Sequence, residues 1–276
     1  MMDKAEKKNS SEEEQKRRNF MKQAAGLGIL GVAAAGGIWG AKSFKSEKQR
    51  LRPPGAVEED RYLTMCIKCG QCLQVCPYDS ILLEDYDGKA GVGTAYISPL
   101  ARGCYLCEAF PCVLACPTGA LDHEANVIEK VHMGMAIIVN ESACIALKNE
   151  KVTKEMIGRI YDHTKVISPE ERKNRKVEIA ANDPEKVVLQ KELLKKLDKN
   201  EGKICTICAD MCPFIPDPSK AIGMISKDGG LFPEIREACV GCGACVELCP
   251  TKVLQILPAA SYADVYQKDK GVGNAS

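Results

Sequence analysis

The chain has 276 residues, a formal net charge of +1 and an aromatic content of 5%. This length suits one or two small domains, and the near-neutral charge gives no indication of nucleic-acid binding. Its most informative feature is a set of sixteen cysteines.

The N-terminal segment, residues 1–41, predicts export. Its signal residues are Arg17, Arg18, Phe20 and Lys22, followed by an uncharged apolar run with several glycines. This pattern is typical of a twin-arginine signal, so we expect the twin-arginine translocase as a partner and the periplasm as the location. The alternative is a retained anchor, or attachment to the inner membrane through a partner.

Residues 42–61 predict a polar linker, because they begin with basic residues and contain Pro53-Pro54-Gly55. The basic residues suit a solvated tether, or a contact with anionic lipid headgroups.

Four groups of cysteines follow, and each group ends in Cys-Pro. They are Cys66-Cys69-Cys72-Cys76, Cys104-Cys107-Cys112-Cys116, Cys144 with Cys205-Cys208-Cys212, and Cys239-Cys242-Cys245-Cys249. The first and last have the C-x2-C-x2-C-x3-C-P spacing of bacterial iron–sulfur proteins, and sixteen thiolates suit four [4Fe–4S] clusters. A disulfide framework and zinc ribbons are alternatives, but neither requires the third cysteine of each group or the Pro that follows the fourth.

The four groups form an internal repeat, and the third is split by residues 149–201, a charged stretch without cysteine. We therefore predict an α+β fold of two tandem bacterial 2[4Fe–4S] ferredoxin-like modules. The first module is residues 62–132. The second is residues 133–148 and 202–258, split by a helical insertion at 149–201 and followed by a flexible tail at 259–276.

The fourth cysteine of a motif ligates the other cluster of a two-cluster unit, which predicts four ligand sets. Cluster 1 takes Cys66, Cys69, Cys72 and Cys116; cluster 2 takes Cys76, Cys104, Cys107 and Cys112; cluster 3 takes Cys144, Cys205, Cys208 and Cys249; cluster 4 takes Cys212, Cys239, Cys242 and Cys245. Cys144 is included because the third motif has only three local cysteines and the repeat places the missing ligand there.

Short apolar runs and helix-start patterns predict the remaining elements. Runs at 81–83, 120–121, 135–139 and 253–256 suit strands. In the insertion, Ser168-Pro169-Glu170 and Asp183-Pro184-Glu185 each place an N-cap residue before Pro and an acid. The insertion is interpreted either as a docking surface or as a helical hairpin packed on the ferredoxin core.

No side chain is expected to act as a nucleophile or a general acid. For the histidines, His123, His132 and His163, we expect structural or surface roles. Lys68 and Arg102 lie close to cysteines in the sequence. Their positive charges either raise the local potential at the predicted cluster ligands or, at the surface, contribute only to solubility.

The motifs resemble those of the MauM/NapG family of ferredoxin-type proteins. The matching stretches are 61–72, 76–79, 103–108, 111–122 and 133–147, and the insertion departs from the family pattern. The resemblance implies a quinol dehydrogenase component without a substrate site of its own. Its expected partners are a membrane-bound, quinol-oxidising ferredoxin-type protein (NapH-like) and periplasmic nitrate reductase or its cytochrome subunit. The alternatives are an electron-transfer subunit of another exported oxidoreductase, or a MauM-like maturation protein.

Overall fold

A computed structural model describes residues 49–86 and 91–267, all of which belong to one unit. The predicted signal segment, residues 42–48 of the predicted linker and residues 268–276 of the predicted tail lie outside the described residues. Within the described ranges, no helix has the length and apolar character that a membrane crossing requires.

The described chain is a mixture of short helices and short strands, as predicted. The helices are α1 Glu59–Met65, α2 Gln71–Gln74, α3 Pro111–Leu114, α4 Lys154–His163, α5 Pro169–Asn174, α6 Glu185–Asp198, α7 Ile207–Asp210 and α8 Ala244–Leu248. The strands are β1 Ile81–Leu83, β2 Ala95–Ile97, β3 Gly134–Ile138, β4 Ile222–Lys227, β5 Gly230–Ile235 and β6 Leu254–Pro258. Single 3₁₀ turns occur at Ile128–Lys130, Glu141–Ala143 and Pro218–Lys220.

The strands of the described part form two-stranded antiparallel sheets, β1–β2, β3–β6 and β4–β5. In the β3–β6 pair, Ala136 lies opposite Ile256, so residues from before and after the insertion share one sheet. The predicted strand at 120–121 is reduced to a single bridge between Leu121 and Ala56. The Leu121 N–H is used elsewhere, because it donates to the sulfur of Cys116.

The β4–β5 hairpin was not predicted from the sequence. Its turn is Asp228-Gly229, and both residues have positive φ angles of 50° and 81°. Asp-Gly with two positive φ angles is the favoured two-residue hairpin turn, because its twist matches that of the strands. This dipeptide was therefore a local signal for the hairpin.

Residues 49–61, predicted to be a linker, pack instead on the first module. Leu51 bridges to Ile97 and is buried, and the Arg52 guanidinium lies 4.7 Å from the ring centre of Tyr62. Arg52 also forms an ion pair with Glu59 at the start of α1. The buried and paired side chains explain why this stretch is ordered although its composition is polar.

The insertion forms helices α4, α5 and α6. Helix α5 begins with a capping box between Ser168 and Glu171, which confirms the first predicted helix start. The second predicted start is wrong by one residue, because α6 has no side-chain cap and begins at Glu185. The Asp183 carboxylate instead accepts a hydrogen bond from the Ala180 N–H (3.0 Å) and pairs with Lys191 (3.1 Å).

The insertion packs on the rest of the molecule, and the chain enters and leaves it at neighbouring positions. Leu194 and Leu197 of α6 are buried, and α6 contacts α4. At the base, the Val152 N–H donates to the Lys203 carbonyl (2.8 Å), and the Gly202 N–H donates to the Val152 carbonyl (2.9 Å). This geometry favours the interpretation as a packed helical hairpin.

The segment after β6 is anchored, although the sequence predicted a flexible tail from residue 259. The Ala259 N–H donates to the Met133 carbonyl (3.0 Å), and residues Ala263–Gln267 form one helical turn. The Tyr266 hydroxyl donates to the Ala136 carbonyl (2.9 Å). These hydrogen bonds, one to Met133 just before β3 and one to Ala136 within β3, hold the segment beside the β3–β6 sheet.

Replacement of residues 153–201 by a short Gly-Ser bridge is predicted to leave the β3–β6 sheet intact. The reason is that Val152 and Gly202 are already hydrogen-bonded neighbours, so a short bridge closes the gap. Hydrogen exchange should show protected amides in β3 and β6 at the parent level, and faster exchange at the Asp79 amide, because Lys186 and Gln190 of α6 bind the Asp79 side chain. Fast exchange throughout β3 would show that the insertion is required for the second sheet.

Candidate metal centres

Three cavities of the described part are each lined by four cysteines. Cavity 1 contains Cys66, Cys69, Cys72 and Cys116; cavity 3 contains Cys144, Cys205, Cys208 and Cys249; cavity 4 contains Cys212, Cys239, Cys242 and Cys245. Their empty volumes are about 380, 360 and 380 Å³, part of which is open to solvent. Each cavity combines cysteines from two motifs, and Cys144 lies with the three cysteines predicted for cluster 3.

The remaining cysteines, Cys76, Cys104, Cys107 and Cys112, also lie near one another. Burial raises the pKa of the Cys112 thiol, and the nearby Cys107 and Cys76 raise it further. Burial also raises the pKa of Cys107 to about 11, with a further contribution from Cys76. Cys72 of cavity 1 also raises the pKa of Cys112, so this coupling shows that the thiols are close together, and the second ligand set, with Cys104, stays a prediction.

All sixteen cysteines are among the described residues and are free thiols. In the part of the chain that the structure describes, no three His, Cys, Asp or Glu side chains are grouped as ligands of a single ion. The thiols instead surround a space. Four soft sulfur donors around a cavity suit a [4Fe–4S] cubane, whose irons each take one thiolate.

Burial makes these thiols hard to ionise. It raises the pKa of Cys72 and of Cys205 to about 11 in each case. A thiol must lose its proton to bind a metal, so a bound cation has to stabilise the thiolate form. The residues present fit such a group, because their donors are soft and converge without disulfides.

Backbone N–H groups point at the fourth cysteine of three motifs. Ser80 donates to the sulfur of Cys76 (3.4 Å), Leu121 to that of Cys116 (3.4 Å), and Val253 to that of Cys249 (3.3 Å). The Pro after each of these cysteines turns the chain so that these amides face back to the sulfur. Hydrogen bonds to sulfur stabilise the thiolate and tune the potential of a bound cluster.

The effect is visible at Cys116. Burial raises its pKa, but hydrogen bonds from the N–H groups of Leu121, Thr118 and Ala120 and from the Thr118 hydroxyl together outweigh burial, so the net pKa of this thiol is lowered.

Short helices carry the middle cysteines of the motifs, among them Cys72 on α2 and Cys245 on α8. The residues that precede these helices, Gly70 and Gly243, have positive φ angles of 73° and 84°. Only glycine adopts this conformation without strain, which explains the predicted glycines between the ligands.

Cysteine exposure distinguishes cavity 1 from the others. Cys69 is the only exposed cysteine of the sixteen. Beside it Ile67 is 62% exposed, and Lys68 is exposed as well. Cavity 1 is therefore the cysteine set nearest to the protein surface.

The other singled-out residues separate into surface and buried positions. His123 is exposed and hydrogen-bonds the Cys116 carbonyl (2.9 Å), and His132 is exposed. The side chain of His163 lies outside the described residues. Arg102 is buried, so its interpretation as a surface residue for solubility is wrong.

Sequence reasoning missed a buried polar network around Arg102, which includes Tyr105, Gln190 and Glu247. Burial raises the pKa of Glu247, while the positive charge of Arg102 and the Gly103 N–H act in the opposite direction. These residues come from three distant segments and match no local motif, so no sequence signal indicated that they meet.

Comparison with known proteins agrees with this chemistry. The family described as a 4Fe-4S dicluster domain matches residues 65–120 and again residues 203–254. The ferredoxin-type protein NapG of Escherichia coli (strain K12) is 38% identical over 128 residues, which are 46% of this chain and 54% of that protein. The methylamine utilization ferredoxin-type protein MauM of Methylorubrum extorquens is 38% identical over 130 residues, 47% of this chain and 58% of that protein.

The resemblance to NapG and MauM is confirmed. MauM of Methylophilus methylotrophus is 27% identical over 256 residues, which are 90% of this chain and 88% of that protein. In the first two NapG and MauM matches, by contrast, the chain spans little more than half of the relative's length. The chain contains two 4Fe-4S dicluster domains, which implies bound iron–sulfur clusters. No solved structure matches the chain significantly.

Replacement of Cys144 by Ala is predicted to damage one cluster and spare the others. Cys144 lines cavity 3 with Cys205, Cys208 and Cys249, so its loss removes one of four ligands there. The expected result is loss of that cluster or its conversion to a three-iron form, measured by iron analysis and electron paramagnetic resonance (EPR).

The matched control is Met224→Leu, because Met224 lines the same cavity without being a predicted ligand. Its iron content and spectrum should equal those of the parent. A parent-like spectrum for Cys144→Ala would identify Cys144 as an ordinary core thiol.

Proposed function

We propose that the protein is an exported electron carrier with four [4Fe–4S] clusters. The proposed ligands are the cysteines of cavities 1, 3 and 4 and the set Cys76, Cys104, Cys107 and Cys112. The observation that carries the proposal is that each cavity joins four cysteines of two motifs. A cubane bound in this way accepts and releases one electron at a time.

The second module is proposed to be split by the insertion. In support, β3 precedes residues 149–201, β6 follows them, and the two strands pair along their whole length. Cys144 lies before the insertion and Cys205 after it, yet both line cavity 3.

The chain's own residues would bind the clusters, shield them from water and tune their reduction potentials. Buried thiols exclude water, and the N–H groups of Ser80, Leu121 and Val253 stabilise negative charge on sulfur. Cys69 gives cavity 1 an exposed ligand through which electrons can be exchanged with another protein.

We assign the protein to quinol oxidation in the periplasm. Its proposed partners are a membrane-bound, quinol-oxidising ferredoxin-type protein (NapH-like) and a periplasmic nitrate reductase or its cytochrome subunit. Support comes from the likeness to NapG and from the twin-arginine pattern at residues 17–22.

A second candidate function has equal support from identity, since MauM matches at 38% as well. In that case the protein acts as a MauM-like maturation protein, or as an electron-transfer subunit of an exported oxidoreductase other than nitrate reductase.

The cluster content of anaerobically purified protein tests the carrier proposal. We expect about 16 iron atoms and about 16 acid-labile sulfides per chain, because each of four cubanes contains four of both. Metal analysis with a parallel zinc measurement checks this number. Stoichiometric zinc, or half of the expected iron, would contradict four clusters.

The quinol role is tested by electron delivery from a membrane. Inner-membrane vesicles that contain the NapH-like partner and a reduced quinone pool should reduce the oxidised protein, detected by the EPR signal of reduced clusters. Vesicles without the partner are the control. If dithionite reduces the clusters and the vesicles with the partner do not, the quinol assignment is wrong and the second candidate gains support.

A further inference from the structure

The two modules meet at one close backbone contact. The Cys104 N–H donates to the Cys242 carbonyl (2.8 Å), and both cysteines are buried. Gly103 permits this approach, since a Cβ atom there would lie 2.6 Å from the Ala244 nitrogen. Cys104 belongs to the proposed set for cluster 2 and Cys242 to that for cluster 4, so the contact joins ligands of different modules.

Arg102 lies directly beside this contact and is itself buried. Its Nη1 donates to Oε1 of Glu247 (3.1 Å), and its Nε donates to the Tyr78 carbonyl (2.9 Å). The other carboxylate oxygen of Glu247 accepts from the Gly103 N–H (2.7 Å) and from the Tyr105 hydroxyl (2.9 Å). One carboxylate of the second module is thus tied to three residues of the first.

The insertion supplies the third side of this junction. Gln190 of α6 accepts from Nη2 of Arg102 (3.2 Å) and donates to the Pro77 carbonyl (2.7 Å). Lys186, one turn earlier on α6, pairs with Asp79. Pro77 follows the ligand Cys76, so α6 braces the chain at the proposed cluster 2 while it also holds Arg102.

We propose that Arg102, held between Glu247 and Gln190, is a positioning residue that keeps Cys104 against Cys242, and that electrons pass between the modules at this contact. The proposal rests on the four-cluster function above. In this passage one electron leaves the group held by one cysteine set and enters the group held by the other, and no bond forms or breaks. The 2.8 Å hydrogen bond between Cys104 and Cys242 fixes the two ligand segments against each other, and with them the separation over which the electron would pass.

The junction also orders the four sets along the molecule. Helix α2, which carries Cys72 of cavity 1, packs against α3, which carries Cys112, and α7, which carries Cys208 of cavity 3, packs against α8, which carries Cys245 of cavity 4. The Cys104–Cys242 contact joins the two inner sets. The order is therefore cavity 1, the Cys76 set, cavity 4 and cavity 3.

Arg102→Gln in the full-length, cluster-loaded protein tests the proposal. It removes the charge that faces Glu247 but keeps a polar side chain. We expect faster hydrogen exchange at the Cys104 amide and, after full reduction with dithionite, a narrower EPR spectrum with the same integrated spin. The spectrum would narrow because the magnetic interaction between the reduced clusters on the two sides of the junction is lost.

Three further variants separate a positioning role of Arg102 from general damage to the protein. Arg102→Lys keeps the charge but not the fork of donors, so it should recover part of the parent line width. Lys227→Gln is the matched control, because it removes one charge from the exposed ion pair with Glu141 and should change neither measurement. If Arg102→Gln does not fold, Gln190→Met removes only the brace from the insertion and should give the same narrowing.

The outcomes distinguish this proposal from the function on which it rests. Parent protein without the expected iron would overturn the four-cluster function itself. Fully loaded Arg102→Gln or Gln190→Met protein with parent-like exchange and line width would overturn the positioning role of Arg102 alone. A reduced integrated spin in these variants would assign Arg102 to cluster retention, which also contradicts the proposal.

Discussion

Each cysteine cavity is completed by two separate parts of the chain, and the rest of the structure follows from this constraint. Cavity 1 takes three thiols from one motif and Cys116 from the next, and cavity 3 takes Cys144 from before the insertion and Cys249 from the following motif. The strands of the described part form only two-stranded sheets, and most of its helices are short. In such a protein, bound clusters also stabilise the fold, because their ligands link segments that are distant in sequence.

Buried polar groups also lie where separate segments of the chain meet. The side chains of Arg102 and Glu247 are 10% and 5% exposed. Each therefore needs the opposite charge of the other to offset the cost of burying its own charge. Removal of one partner from such a pair costs about 3–5 kcal/mol, because the remaining charge stays buried without compensation. The insertion contributes Gln190 to this network, which makes it a part of the junction between the modules.

The N-terminal stretch before the first motif shows how composition can mislead. Residues 49–61 are rich in charge and proline, yet Leu51 pairs with Ile97 and Arg52 is buried against Tyr62. Arg52 satisfies its donors with Glu59, Thr94 and the Ala95 carbonyl. A charged residue is tolerated inside when all of its hydrogen bonds are made, and that condition is not visible in a composition.

The sequence by itself determined the chemistry of the protein, because cysteine spacing is a local property. The spacing and the Cys-Pro ends predicted iron–sulfur sites, and the repeat predicted two modules and an interruption at 149–201. Local cap chemistry likewise predicted the start of α5. Only the tertiary structure decided that α6 packs against the first module, that Cys104 meets Cys242, and that Arg102 is buried between them. These contacts join residues far apart in the chain through long-range packing, which no spacing or periodicity encodes.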